Sequence, residues 1–178
     1  DTKAGSEPIE WRVLDIYPGN KLLLLSDKVL DCRAYGYGDT TWAESSLRNN
    51  WLSTDFKNTA FTPTEQGYLG NMLVDNSAGG VASLGGVNTQ DKIWIPSVTQ
   101  MENAAYGFVS RDTRRAKVTD YVRETYSNSI KCSKTTDTYY AGYLLRTPGY
   151  YQYDVAGVDS YGKLVKNGWR TYTKTAGV

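Results

Sequence analysis

The chain contains no histidine. That absence removes at once the commonest general base, the imidazole of a catalytic triad and the commonest zinc ligand. Cysteine is nearly as scarce, with only Cys32 and Cys132. They can form one bridge at most, and sequence does not say whether their Cα atoms approach the ~5.5 Å that a disulfide needs. Free thiols are the favoured reading and the bridge stays open. A catalytic cysteine would need a base or a cation to lower its pKa, and without histidine only Lys or Arg can serve. Charge of one sign is missing too: 20 Lys and Arg stand against 19 Asp and Glu, for a net charge of +1. Phosphate binding would require a clustered basic excess, so a nucleic-acid partner is not expected. Arg111, Arg114, Arg115 and Lys117 form the one basic cluster, and Asp112 within it favours a solvated turn over an anion site. The longest apolar run, Leu22 to Leu25, falls far short of the roughly 18 residues of a membrane span. Residues 1–7 carry no signal-peptide pattern, so any export signal is expected to precede residue 1.

Tyrosine is what the chain has in plenty. Eight of its 15 tyrosines fall between Tyr139 and Tyr172, in a stretch broken by Gly and Asn turns. Tyrosine presents a large, stiff, amphipathic face with two side-chain torsions to freeze, and recognition surfaces collect it beside Ser, Gly and Asn. With 178 residues the chain can bury roughly 70% of the surface its unfolded form exposes, enough to fold as one domain without a metal or disulfide.

Local patterns predict an α+β domain with small antiparallel sheets and two or three flanking helices. Ile9, Trp11 and Val13 alternate with Glu10 and Arg12, and Tyr17-Pro18-Gly19-Asn20 suits a type II turn into a second strand, Leu22 to Leu25. Three reciprocal caps announce helices: Thr41 with Glu44, Thr62 with Pro63 and Glu65, and Ser97 with Gln100. The first helix is expected to present Leu47, Trp51 and Leu52 on one apolar face, with Phe56 and Phe61 packed near its end. Ile93-Trp94-Ile95 reads as a short strand stopped by Pro96, and Thr119 to Glu124 as a helix. The stretch from Asn76 to Thr89 lacks the Gly-Lys-Ser/Thr ending of a phosphate cradle and reads as a surface loop. From Gly142 onward a meander is expected: Tyr143 to Leu145, Asp154 to Val158, Lys163 to Lys166 and Arg170 to Thr173. Its joints would be Pro148-Gly149, Asp159 to Gly162, and Asn167-Gly168. There is no internal repeat and no linker.

Several strings carry a family resemblance. They are Pro8 to Asp15, Leu22 to Arg33, Ser46-Leu47-Arg48 through Trp51-Leu52 to Phe61, Asn88-Thr89-Gln90-Asp91-Lys92-Ile93, Leu144-Leu145-Arg146-Thr147-Pro148-Gly149 and the closing Gly177-Val178. In order and spacing these resemble a widespread family of uncharacterised bacterial domains, similar to the C-type-lectin fold in the branch of formylglycine-generating enzymes and retroelement-diversified variable proteins. The resemblance implies a single C-type-lectin-like domain over residues 1–178, clipped at both ends, since the family begins before Pro8 and continues past Gly-Val. It also implies a module of a bacterial cell-surface or extracellular protein. Where this family usually carries an aromatic run, the chain has Tyr139-Tyr140-Ala141-Gly142-Tyr143, so the pocket floor is expected to differ.

In retroelement-diversified relatives, variable positions favour Tyr, Asn, Asp, Ser and Thr. The segment from Tyr150 through Tyr153 and Asp159 to Tyr161 and on to Asn167 and Thr173 has that flavour, compatible with diversification or with a fixed site. The candidate ligand-binding residues are Tyr150, Tyr151, Tyr153, Asp154, Tyr161, Trp169, Arg170 and Tyr172, and the expected partner is a protein or a glycan. No metal or cofactor is expected. The ligand strings of calcium-dependent lectins are missing, and Asp31, Asp39, Asp75, Asp154 and Asp159 are not spaced as a calcium loop. Catalysis of the formylglycine-generating type is disfavoured, because Cys32 and Cys132 do not sit in matching motifs. The alternative to ligand capture is a structural module whose aromatic face docks on a neighbouring domain.

Overall fold

The computed structural model describes residues 8–77, 85–126, 132–135, 138–151, 153–170 and 175–176; Cys132–Thr135, Asn167, Trp169, Arg170, Thr175 and Ala176 are described by their backbone alone. The chain is a mixed α+β structure with several small sheets and few helices. β1 (Trp11–Tyr17) and β2 (Lys21–Ser26) form the expected antiparallel hairpin, with a bulge between Val13 and Asp15. Gly19 turns it at φ 80, the sign that the third position of a type II turn requires.

Two-residue strands β3 (Lys28–Val29) and β4 (Cys32–Arg33) follow, then β5 (Met72–Val74) and β6 (Thr89–Asp91), which pair with each other. β7 (Ala116–Val118), β8 (Cys132–Thr135) and β9 (Thr138–Ala141) join β3 in a sheet of order β3-β7-β9-β8. The β3–β7 pair is parallel, a correction to the all-antiparallel expectation.

The meander is β10 (Tyr143–Pro148), β11 (Asp154–Val158) and β12 (Leu164–Arg170), in that spatial order. β13 (Thr175–Ala176) returns the chain to β4. Successive residues of a strand face opposite ways, and here both sides are buried. Tyr143, Leu145, Ala156 and Val158 pack into one core with Val29, Met101, Phe108 and Val122. Leu144 and Val155 pack into another with Tyr35, Trp42, Leu47, Leu52 and Ile95. The three-stranded sheet is therefore the central layer of the molecule.

The caps at Thr62 and Ser97 hold as expected. Glu65 accepts from the Thr62 N–H at 2.7 Å ahead of the helix Pro63–Tyr68, and Gln100 accepts from the Ser97 N–H at 3.0 Å ahead of the turn Val98–Met101. The expected helix near Thr119 spans Asp120–Tyr126.

The Thr41–Glu44 cap needs correcting. It closes only the 3₁₀ turn Trp42–Glu44, and the helical segment bearing Leu47 starts after Ser46. That segment, Leu47–Phe56, is a π-helix running into the α-turn Lys57–Ala60. The wider turn of i→i+5 hydrogen bonding brings residues five apart closer to one face, so Leu47 and Leu52 share a core and Trp51 stacks on Phe56 at 4.9 Å.

Ile93–Ile95 is not a strand, since β6 ends at Asp91. The extended segment after it is held by single bonds instead of a ladder: the Arg146 N–H donates to the Pro96 carbonyl, and the Val98 N–H to the Thr147 hydroxyl. Nor is Asn167-Gly168 a turn. β12 runs through it, and the register slip opposite Val155 and Gly157 marks an irregularity within the strand. The expected strand Arg170 to Thr173 falls mostly outside the described residues, as does the centre of the Gly-rich loop. Its flanks are pinned where Asn76 donates to the Val87 carbonyl and the Thr89 hydroxyl.

Buried phenols give the fold an alkaline limit. Burial raises the pKa of Tyr35 and Tyr143 well above the ordinary 10.0, and burial with hydrogen bonding to Tyr17 raises Tyr106 to about 12. A group whose folded pKa is raised adds stability that is complete below the unfolded value and lost as pH rises through the folded one. The thermal midpoint is therefore expected to fall as pH climbs from 10 toward 12, with phenolate absorbance rising in the same transition. A midpoint unchanged across that window would contradict these burials. With no histidine, no imidazole-driven step is expected between pH 5 and 8.

Candidate recognition surface

The turn from β10 to β11 projects a cluster of three exposed aromatic rings. Tyr150 and Tyr151 meet edge to face with centroids 4.8 Å apart, and Tyr151 stacks on Tyr153 at 5.3 Å and 12°. All three are exposed, at 54%, 52% and 37%. Phenol rings gain from such contacts about 0.5–1.5 kcal/mol per pair, which favours this ladder-like arrangement of the three rings.

Beneath it sits Asp154, one of the eight candidates, and the structure assigns it a different role. Its side chain is 7% exposed and lies against the backbone of Gly149 and Gly168. A Cβ built on Gly168 would come 2.3 Å from the Asp154 Cβ, and Gly168 has φ 107, so no other residue fits there without displacing the carboxylate. The turn is closed by the Asp154 N–H donating to the Tyr151 carbonyl at 2.9 Å and the Gly149 N–H donating to the Asp154 carbonyl at 2.8 Å. Asp154 is therefore buried at the base of the turn, packed on Gly149 and Gly168, and not part of the exposed ring cluster. The sequence signal was present, because a carboxylate opening a fully buried strand is unlike its turn-located neighbours.

Tyr161 is separated from the ladder by topology. Consecutive hairpins reverse direction, so the β10–β11 turn and the β11–β12 turn lie at opposite ends of the sheet. Tyr161, 67% exposed, occupies the second. Backbone pairing of Arg170 with Asp154 and of Trp169 with Val155 brings that end of β12 beside the ladder. The side chains of Trp169 and Arg170, and all of Tyr172 and Gln152, lie outside the described residues.

The remaining tyrosines of the cluster are structural. Tyr143 is buried and donates to the Arg114 carbonyl at 2.7 Å, while Arg115 covers the Tyr140 ring at 3.7 Å and Arg123 approaches Tyr139 at 5.9 Å. The basic cluster is thereby explained. Arg111–Arg114 is a capped helical turn, and Arg114 donates to the Gly162 and Phe108 carbonyls.

Cys32 is buried in the first core, and the state of its bridge to Cys132 depends on a side chain outside the described residues. Among the described residues no three acidic, Cys or His side chains gather as a metal site, and no helix is long and apolar enough to cross a membrane.

The candidate site is a cluster of three exposed tyrosine rings on a mixed α+β domain. Residues 19–178 match the Domain of unknown function (DUF6273), and the chain belongs to that family. No curated protein and no solved structure matches it.

Proposed function

We propose that this domain is a non-catalytic recognition module, on a C-type-lectin-like frame, that captures a protein or glycan with the ladder Tyr150, Tyr151 and Tyr153. The observation that carries the reading is the ring-to-ring continuity of three exposed tyrosines on one turn. Aromatic anchors of this kind dominate interface energetics, and the buried Asp154 prop gives the turn a fixed base. The ligand face is then smaller than eight residues: the ladder forms it, beside the end of β12 whose backbone at Trp169 and Arg170 pairs with Val155 and Asp154, whereas Tyr161 belongs to the opposite end. An extracellular or cell-surface setting, and diversification of the turn by a retroelement, are parts of the same proposal. A structural docking role has support of its own in the exposed apolar residues Val13, Ile16 and Leu22 of the first hairpin.

The test is a glycan and surface-protein binding screen comparing the wild type with Tyr151→Ala and Tyr153→Ala. Each change is expected to weaken the selected interaction by about tenfold or more, with thermal stability unchanged because the rings are exposed. Binding untouched by both substitutions would remove the ladder from the site. Copies of the gene from one population give a second check, since variation confined to the turn after Pro148 would distinguish a diversified surface from a fixed one.

A further inference from the structure

The π-helix Leu47–Phe56 and the β5–β6 pair border a small polar pocket of about 230 Å³. Arg48 lines it near the start of the π-helix and Lys57 just past its end. Asn71, which leads into β5, and Gln90, Asp91 and Lys92, in and after β6, line it as well. None of these residues belongs to the tyrosine turn.

The pocket has donors and positive charge to spare. Its one acid is already filled: Asp91 accepts from Arg48 at 2.6 Å on one oxygen and from Trp42 and Thr89 on the other, so it neutralises Arg48 and leaves no free negative charge. Lys57 and Lys92 are not neutralised. Among the described residues neither ammonium has a hydrogen-bond or ion-pair partner, although Lys57 is half-buried. Two ammonium groups around so small a cavity repel each other, and an anion placed between them turns that repulsion into attraction. The side-chain amides of Asn71 and Gln90 are likewise uncommitted among the described residues, and each can both donate and accept. Leu52 and Ile93 add apolar surface to the lining.

Size narrows the ligand further. The pocket has the volume of roughly eight waters at about 30 Å³ each, enough for one hexose ring. Sites for larger ligands run from roughly 300 to 1,000 Å³. A sugar ring also matches the mixed lining, because its hydroxyls suit amides that donate and accept while its C–H face suits Leu52 and Ile93. We infer that the pocket binds one hexuronic acid unit of an acidic glycan, with Lys57 and Lys92 on the carboxylate and Asn71 and Gln90 on the hydroxyls. This site is independent of the tyrosine ladder, and either can fail without the other.

The test titrates the whole domain with methyl glucuronoside, methyl glucoside, acetate and inorganic phosphate, following the backbone amide resonances of residues 48–57 and 90–93. The glucuronoside is expected to give saturable shifts there, and to bind at least tenfold more tightly than the neutral glucoside or acetate. Lys57→Gln and Lys92→Gln should each weaken it fivefold or more with the thermal midpoint unchanged, since neither ammonium holds a partner among the described residues. Lys21→Gln removes the same charge from an exposed position outside the lining and should bind as the wild type does. Tyr151→Ala should also bind as the wild type, which separates this pocket from the ladder. Absence of saturable shifts, equal binding of the glucoside, equal binding of acetate or phosphate, or a loss in Lys21→Gln as large as in Lys57→Gln would each overturn the inference.

Discussion

Asp91→Ala is expected to cost about 3–5 kcal/mol, the range for removing one partner of a buried ion pair. Asp91 is buried at the end of β6, and three donors converge on its carboxylate. Arg48 Nε donates to Oδ1 at 2.6 Å, Trp42 Nε1 to Oδ2 at 2.9 Å, and the Thr89 hydroxyl to Oδ2 at 2.6 Å. Thr89 in turn accepts from Asn76, so the carboxylate ties the 3₁₀ turn, the π-helix, β6 and the far side of the 76–89 segment to one point. Alanine leaves a guanidinium, an indole N–H and a hydroxyl without their acceptor, and each orphaned group carries its own desolvation penalty. Arg48→Met should cost clearly less. Asp91 keeps two donors in that variant, and Arg48 is more exposed, at 20% against 6%. Asp91→Asn should fall between, because one amide oxygen replaces two carboxylate acceptors and the NH₂ faces another donor. Urea unfolding of the three variants checks the order. A loss for Arg48→Met equal to or above that for Asp91→Ala would show that Asp91 is not the hub.

The same residues show how much of this structure its sequence carried. The first hairpin was legible because alternation and the Pro-Gly-Asn turn agree, and Thr62 and Ser97 were legible because capping is a local, three-residue signal. The π-helix was not. Leu47 with Leu52 and Trp51 with Phe56 are five apart, a spacing longer than the three and four that mark one face at 3.6 residues per turn. The parallel β3–β7 pair is two residues long and joins Lys28 to Lys117, too short and too distant in sequence to leave a pattern. Asn167-Gly168 misled because the requirement that places Gly in a turn, positive φ, also places it within an irregular strand against Asp154. For the candidate surface, composition marked Tyr150, Tyr151 and Tyr153, which the structure brings together as exposed rings on one turn. Composition has no direction, though, and put Tyr161 in the same patch although two successive hairpin turns must point opposite ways. Asn88 to Ile93 and Leu144 to Gly149, two of the strings that carried the family resemblance, contain Asp91 and Arg146, each of which ties several segments together by hydrogen bonds.

Arg146 sets the second large expectation. It is 5% exposed in the middle of β10, and among the described residues the groups that accept from its guanidinium are neutral: the Ile95 carbonyl at 2.9 Å, Gln100 Oε1 at 2.7 Å and the Asp75 carbonyl at 3.2 Å. Neutral dipoles compensate a buried cation poorly, and burial lowers its pKa to about 10 against 12.5, with Tyr35, Asp75 and Asp91 opposing that shift at longer range. Two effects therefore compete when it is removed. Loss of the buried charge relieves desolvation, while loss of the donors takes a partner from three acceptors: Gln100 Oε1 keeps the Ser97 N–H, and the Ile95 and Asp75 carbonyls each cost about 1–3 kcal/mol if left dry. A truncation adds a cavity, so Arg146→Ala is expected to lose about 3 kcal/mol or more. Arg146→Met fills most of the space and removes the charge, and should recover roughly half of that loss, as apolar replacement of buried charge often does. Arg146→Lys should not rescue, because one ammonium cannot reach acceptors arranged around a planar fork. Since Gln100 also caps Val98–Met101 and β10 carries the tyrosine turn, Arg146→Met should loosen the Tyr150–Tyr153 ladder as well, seen as faster amide exchange at residues 149–154. If Met proves as damaging as Ala, the hydrogen bonds dominate and the charge is incidental; if Met exceeds the wild type in stability, the buried cation is a net cost to the fold and is retained for what it positions.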